Sequence, residues 1–213
     1  PLVHRQVFDP RRRTGLVSSL HATVDLGEQV KMPWELDGCK WHTVDHCDAK
    51  GEPAQWDGNV LVWIAATIES LGEFAPTDWN HRTRIEIKAA NTPLWFAHVL
   101  TGFKDLLEVA IRVPTSTFYE PKLRAMLDIR TLDERNDLPI YGQWSRLRVR
   151  TLSTGWDDIR LSLRDFKDVH KTPFRAFLKT AVAAYFRGIG ELQREPGRRQ
   201  PWKTMGQEWH LSQ

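Results

Sequence analysis

Residues 145–166 read SRLRVRTLSTGWDDIRLSLRDF. Two long runs, 145–152 and 158–166, alternate apolar and polar residues around the turn signal Ser153-Thr154-Gly155. Side chains on a strand point to opposite faces in turn, so this pattern fits a hairpin with one face in a core and the other in water. A helical period fits neither run. The hairpin commits the chain to an antiparallel sheet, and the remaining elements must cover its apolar face.

Six further stretches carry alternation or a short apolar run: HATVDL (21–26), KWHTVDH (40–46), NVLVWIAATI (59–68), RTRIEIKAA (82–90), LEVAIRV (107–113) and KLRAMLDIRTL (122–132). Each is expected to be a strand, with Asp57-Gly58 as a turn signal between two of them. Two helices are expected, at about 93–107 and 173–189. Each follows a Thr-Pro pair, Thr92-Pro93 and Thr172-Pro173, with the threonine as N-cap and the proline in the first turn. Trp95, Phe96, Val99, Leu100, Phe103, Leu106 and Leu107 mark the first; Phe174, Phe177, Leu178, Ala181, Val182, Tyr185, Phe186 and Ile189 mark the second. The expectation is an α+β, β-rich fold: a mainly antiparallel curved sheet or sandwich packed with two helices. Residues 1–190 form one domain, and 191–213 a basic C-terminal tail. A recurring strand–link–Thr-Pro order around RIEIK and RLSLR reads as coincidence rather than duplication.

With 213 residues and 41% hydrophobic content, the chain is long enough to bury a core without staples. The longest apolar run, VLVWIAATI (60–68), is too short to span a membrane. The opening PLVHRQVFDPRRR has no apolar stretch after its charges, and two cysteines make no disulfide framework. A soluble, intracellular protein is expected; its oligomeric state is not legible.

The net charge is only +3, yet 20 of the 30 basic residues are arginine. On the hairpin Arg146, Arg148 and Arg150 share one face, as do Arg160 and Arg164, and Arg82, Arg84 and Lys88 repeat the pattern. Arg11-Arg12-Arg13 and Arg198-Arg199 add to this at the ends, and Trp144, Trp156 and Trp202 lie nearby. Guanidinium forks match phosphate geometry, and tryptophans stack on bases. The leading expectation is therefore a non-enzymatic binding or assembly protein, without cofactor, that contacts nucleic acid or another polyanion through an arginine-rich sheet face. The competing reading is a solvated face whose arginines pair with the chain's 27 acids.

Glu86-Ile87-Lys88 on a strand, followed by an expected helix and then LEVAIRV, resembles the central part of the PD-(D/E)xK nuclease core. That resemblance implies a metal-dependent nuclease or phosphodiesterase using Mg or Mn. Glu86 would bind the metal, Lys88 would activate water, and an upstream acid, Asp78 or Glu69, would complete the site. His21-Ala-Thr23 and His81-Arg-Thr83 resemble the paired motifs of 2H phosphoesterases, but Arg84 stands where that family has an apolar residue. A third reading, a carbohydrate or small-molecule binding β-sandwich, rests on ten tryptophans.

CKWHTVDHC, residues 39–47, holds both cysteines and two histidines, which are ligand types for zinc. As a strand it would set Cys39 and Cys47 on one face, about 26 Å apart at 3.3 Å per residue, and His42 and His46 on the other. One strand then cannot gather four ligands, and any metal would need help from elsewhere in the chain.

Overall fold

The structure is a computed structural model that describes residues 31–47, 51–128 and 146–194; the account below concerns the unit that begins at Pro33. The expected strand 21–26, the His21 motif, Arg11–Arg13, Trp144, Trp202, Arg198-Arg199 and the tail beyond Arg194 lie outside these residues.

Two short helices, α1 (Pro33–Leu36) and α2 (Gly38–Lys40), run into a π-helical turn, Trp41–Asp45. Next come α3 (Gly58–Glu69), β1 (Arg84–Lys88), β2 (Trp95–Leu100), β3 (Leu107–Pro114), α4 (Glu120–Leu127), β4 (Leu147–Thr151), β5 (Trp156–Leu163), α5 (Phe166–Val169) and α6 (Thr172–Arg194). The five strands form one open antiparallel sheet in the order β1-β2-β3-β5-β4, so the fold is α+β. The β4–β5 hairpin forms as expected, and Gly155 takes the positive φ (79°) that its turn needs. No helix among the described residues is long and apolar enough to cross a membrane.

Four expected elements change type. The run 59–68 is helix α3, not strand: Asp57 Oδ1 accepts from the Asn59 N–H, and Val60, Leu61, Ile64, Ala65 and Ile68 are buried at helical spacing. Asp57-Gly58 is thus a helix start rather than a hairpin turn. The stretch 122–132 opens in α4. Glu120 and Arg124 pair four residues apart on that helix, and Leu123 and Leu127 enter the core, before Asp128 ends it in a left-handed conformation. Residues 41–45 form a helical turn. Conversely, the helix expected over 93–107 is strand β2. Thr92 Oγ1 accepts from the Leu94 N–H in a tight turn, and the chain leaves it extended, with Phe96, Ala97 and Val99 all buried. Because the first Thr-Pro leads into a strand and the second into a helix, the two halves are not duplicates.

Helix α6 starts where the sequence predicts and runs past 189 to Arg194. Its apolar stripe lies on the sheet face made by Ile85, Ile87, Val109, Ile111, Ile159 and Leu161. Tyr185, fully buried, donates its hydroxyl hydrogen to the Leu94 carbonyl oxygen and accepts from the Ala89 N–H, locking α6 to both ends of the β1–β2 connection. Gly188 lets α6 approach closely: a Cβ there would sit 2.7 Å from Pro114 Cγ and 2.8 Å from Trp156 Cη2. Both neighbours are stiff. Gly188→Ala is therefore expected to cost about 1–3 kcal/mol by overpacking, despite alanine's better helix propensity. Thermal unfolding checks this, and an unchanged midpoint would show that the packing there relaxes.

Candidate anion-binding face

The sheet face turned away from α6 is polar. Strand register aligns one row across all five strands: Glu86 beside His98, then Ala110, Arg160 and Arg148. On one side of it Arg84, Leu100, Glu108 and Ser162 line up; on the other, Arg112 faces Asp158, which faces Arg150. A bulge between Ile87 and Lys88 brings Trp95 opposite Lys88.

Three carboxylates organise these cations. Glu108, buried on β3, accepts from Arg148 and Arg160 with its two oxygens, at 2.5 and 2.7 Å. Asp158, also buried, accepts from Arg160 Nε at 2.9 Å. Burial lowers the Arg160 pKa, but hydrogen bonding and charge pairing with Asp158 and Glu108 outweigh it and raise the value. Glu86 accepts from Lys88 at 3.0 Å and from His98 Nε2 at 2.9 Å, and these bonds, His98 first, hold its carboxyl down at about 2. Burial lowers the His98 pKa, so its ring is neutral at pH 7 and Nε2 carries the proton that Glu86 accepts. Trp95 stacks on His98 with centroids 4.1 Å apart, and Arg112 Cζ lies 3.8 Å from the Trp95 centroid. Burial lowers Arg112 to about 10, which leaves it charged.

Of the seven expected arginines, Arg84, Arg148, Arg150 and Arg160 lie on this face. Arg146 does not contribute: it is buried, ion-paired with Asp168 of α5 at 2.7 Å, and donates from Nε to the Ser162 carbonyl oxygen. Arg164 follows β5, where its N–H donates to Asp168. Arg82 precedes β1 and lies over the Trp34 ring. Trp156 is a core residue against Tyr185 and Gly188, so it offers no ring to a ligand. Arg112, Glu108, Asp158, His98 and Trp95 were not expected here. Period-two alternation already puts Glu108 beside Arg112 and Asp158 beside Arg160; what the sequence lacks is the register that joins the strands.

Glu86, Lys88 and Asp78 do come together, because Asp78 and Glu86 exchange backbone hydrogen bonds at 2.9 Å across an isolated bridge. Their side chains therefore fall on one side of the sheet. The metal chemistry is another matter. Asp78 accepts from the Asn80 N–H and lies 3.4 Å from His81 Nε2, Glu86 is engaged by Lys88 and His98, and Glu69 is held by Thr77. Among the described residues no group of three or more His, Cys, Asp or Glu could hold a metal ion. The helix that the PD-(D/E)xK likeness requires after Lys88 is strand β2. The described residues do not fit a Mg or Mn site.

The CKWHTVDHC stretch is equally changed. In the π-helical turn His42 and His46 point together into the core, rings stacked with centroids 6.2 Å apart, beside Trp41, Trp56 and Trp79. Cys39 and Cys47 are exposed and free. Thiols outside and imidazoles inside do not converge on one ion.

The chain matches no protein-family model, no curated protein and no solved structure at a significant level.

Proposed function

We propose that the protein is a non-enzymatic binding protein that engages nucleic acid through the polar face of its sheet. The observation that supports this most is the composition of the face. Six cations (Arg84, Lys88, Arg112, Arg148, Arg150 and Arg160) stand with four carboxylates (Asp78, Glu86, Glu108 and Asp158), a surplus of two positive charges on one side of a five-stranded sheet. Buried carboxylates hold two of the guanidiniums in fixed positions, which lowers the ordering cost of meeting a phosphate. Arg84 and Arg150, which have no ion pair among the described residues, are the sites for added phosphate contacts. Such contacts position a polyanion without reading its sequence.

Binding to a labelled oligonucleotide should weaken linearly in log–log form as salt rises. The Arg84→Gln/Arg150→Gln variant should reduce the slope by roughly 1.4–1.8, at about 0.7–0.9 for each phosphate no longer neutralised. Fluorescence anisotropy across a salt series measures this. Affinity that ignores salt, or a slope unchanged in the double variant, counts against the face.

A further inference from the structure

A cavity of about 570 Å³ opens on the helical side of the molecule, remote in the fold from the polar sheet face. Its walls include Trp63 and Leu71 together with Lys171, Thr172, Arg175 and Lys179. Among the described residues no acidic side chain lines it. Its volume lies within the range of small-ligand sites.

The wall chemistry is divided. Lys171, Arg175 and Lys179 recur every four residues, just before and along α6, so they form a row about 12 Å long at 1.5 Å per residue. Arg175 and Lys179 are exposed and have no acidic partner among the described residues, whereas Lys171 makes a long pairing, 3.7 Å, with Asp128. Like charges four residues apart repel one another, so an anion spanning the row would stabilise it. Trp63, which lines the same cavity, is half-buried. One part of its ring packs against Phe174 and His170, at 6.1 and 6.5 Å between centroids, and another lines the cavity. A flat apolar ring and a row of cations in one cavity suit a ligand with a planar ring at one end and linked phosphates at the other.

We propose that this cavity is a nucleotide site, with the base against Trp63 and a phosphate chain along Arg175 and Lys179. The site is independent of the nucleic-acid reading of the sheet face. Titration calorimetry of the full chain with ADP should give a one-to-one isotherm. Arg175→Gln/Lys179→Gln, at two exposed helix positions, should weaken it at least tenfold while leaving oligonucleotide retention on the sheet face unchanged. Adenosine, which lacks the phosphates, and pyrophosphate, which lacks the ring, should each bind at least tenfold more weakly than ADP. Absence of ADP binding, binding undiminished in the double variant, or adenosine or pyrophosphate matching ADP would each overturn the assignment.

Discussion

Arg160→Met is expected to destabilise the fold by about 2–3 kcal/mol, the cost of leaving a buried charged acceptor without its donor. The loss comes less from Arg160, whose side chain is 36% exposed, than from what it leaves behind. Asp158 is 4% exposed; Arg160 donates to its Oδ2, while its Oδ1 is buried without a hydrogen bond among the described residues. Without Arg160, an ionised carboxylate sits inside the sheet and relies on the charge of Arg112 nearby. Glu108 suffers less, because Arg148 still donates to it. Urea unfolding should show a lower midpoint with an unchanged slope. The Arg160→Met/Asp158→Asn double variant should recover part of the loss, since the stranded charge is gone. A single variant within about 1 kcal/mol of the parent would mean that water already reaches Asp158.

The second large effect is a loss of stability in mild acid, caused by His42. This ring is fully buried. Its Nε2 lies 2.7 Å from the His81 carbonyl oxygen, to which it donates, and its Nδ1 accepts from the Thr101 hydroxyl at 2.8 Å. Burial, with the neighbouring His46 adding to it, pulls the His42 pKa down to about 4. In the unfolded chain the value is near 6.5, so the unfolded state takes up a proton first. Above about pH 6.5 both states are neutral and the group contributes no pH dependence. As pH falls from 6.5 towards 4 stability drops, by about 3 kcal/mol in all at 1.36 kcal/mol per unit. His98, also lowered, adds in the same direction. Glu86 acts lower: its contribution is full above about 4.5 and is lost as pH falls towards 2. Denaturant midpoints between about pH 7 and 4.5 therefore isolate the histidines, and His42→Gln should flatten most of the slope. A slope that persists in His42→Gln would assign the effect elsewhere.

Legibility in the sequence followed burial symmetry. Strand β1 alternates in burial, β4 and the second half of β5 alternate apolar and polar residue types, and α6 keeps one stripe along its 23 residues, so their periods show plainly. Helix α3 and strand β2 are apolar on more than one side, and such runs carry no clean period. In α3 the deciding signal was the Asp57 cap; in β2 the Thr92-Pro93 pair imitated a helix start. For the candidate face, Glu86 and Lys88 and four of seven arginines could be placed by alternation within one strand. The pairings of Glu86 with His98 and of Glu108 with Arg148 and Arg160 could not, because cross-strand neighbours are set by register and by the bulge at Ile87/Lys88.

The strand order has a consequence for synthesis. β5, near the end of the described chain, inserts beside β3, with Leu107 pairing Leu163 and Pro114 pairing Trp156. As the chain leaves the ribosome, the β1–β2–β3 meander can assemble while β3 still lacks its other neighbour. Seven of the eight β3 residues are buried in the finished protein, so the nascent edge is apolar and unpaired for about fifty residues of elongation. Expression yield should therefore respond to chaperone supply, and truncations ending before Trp156 should aggregate rather than fold.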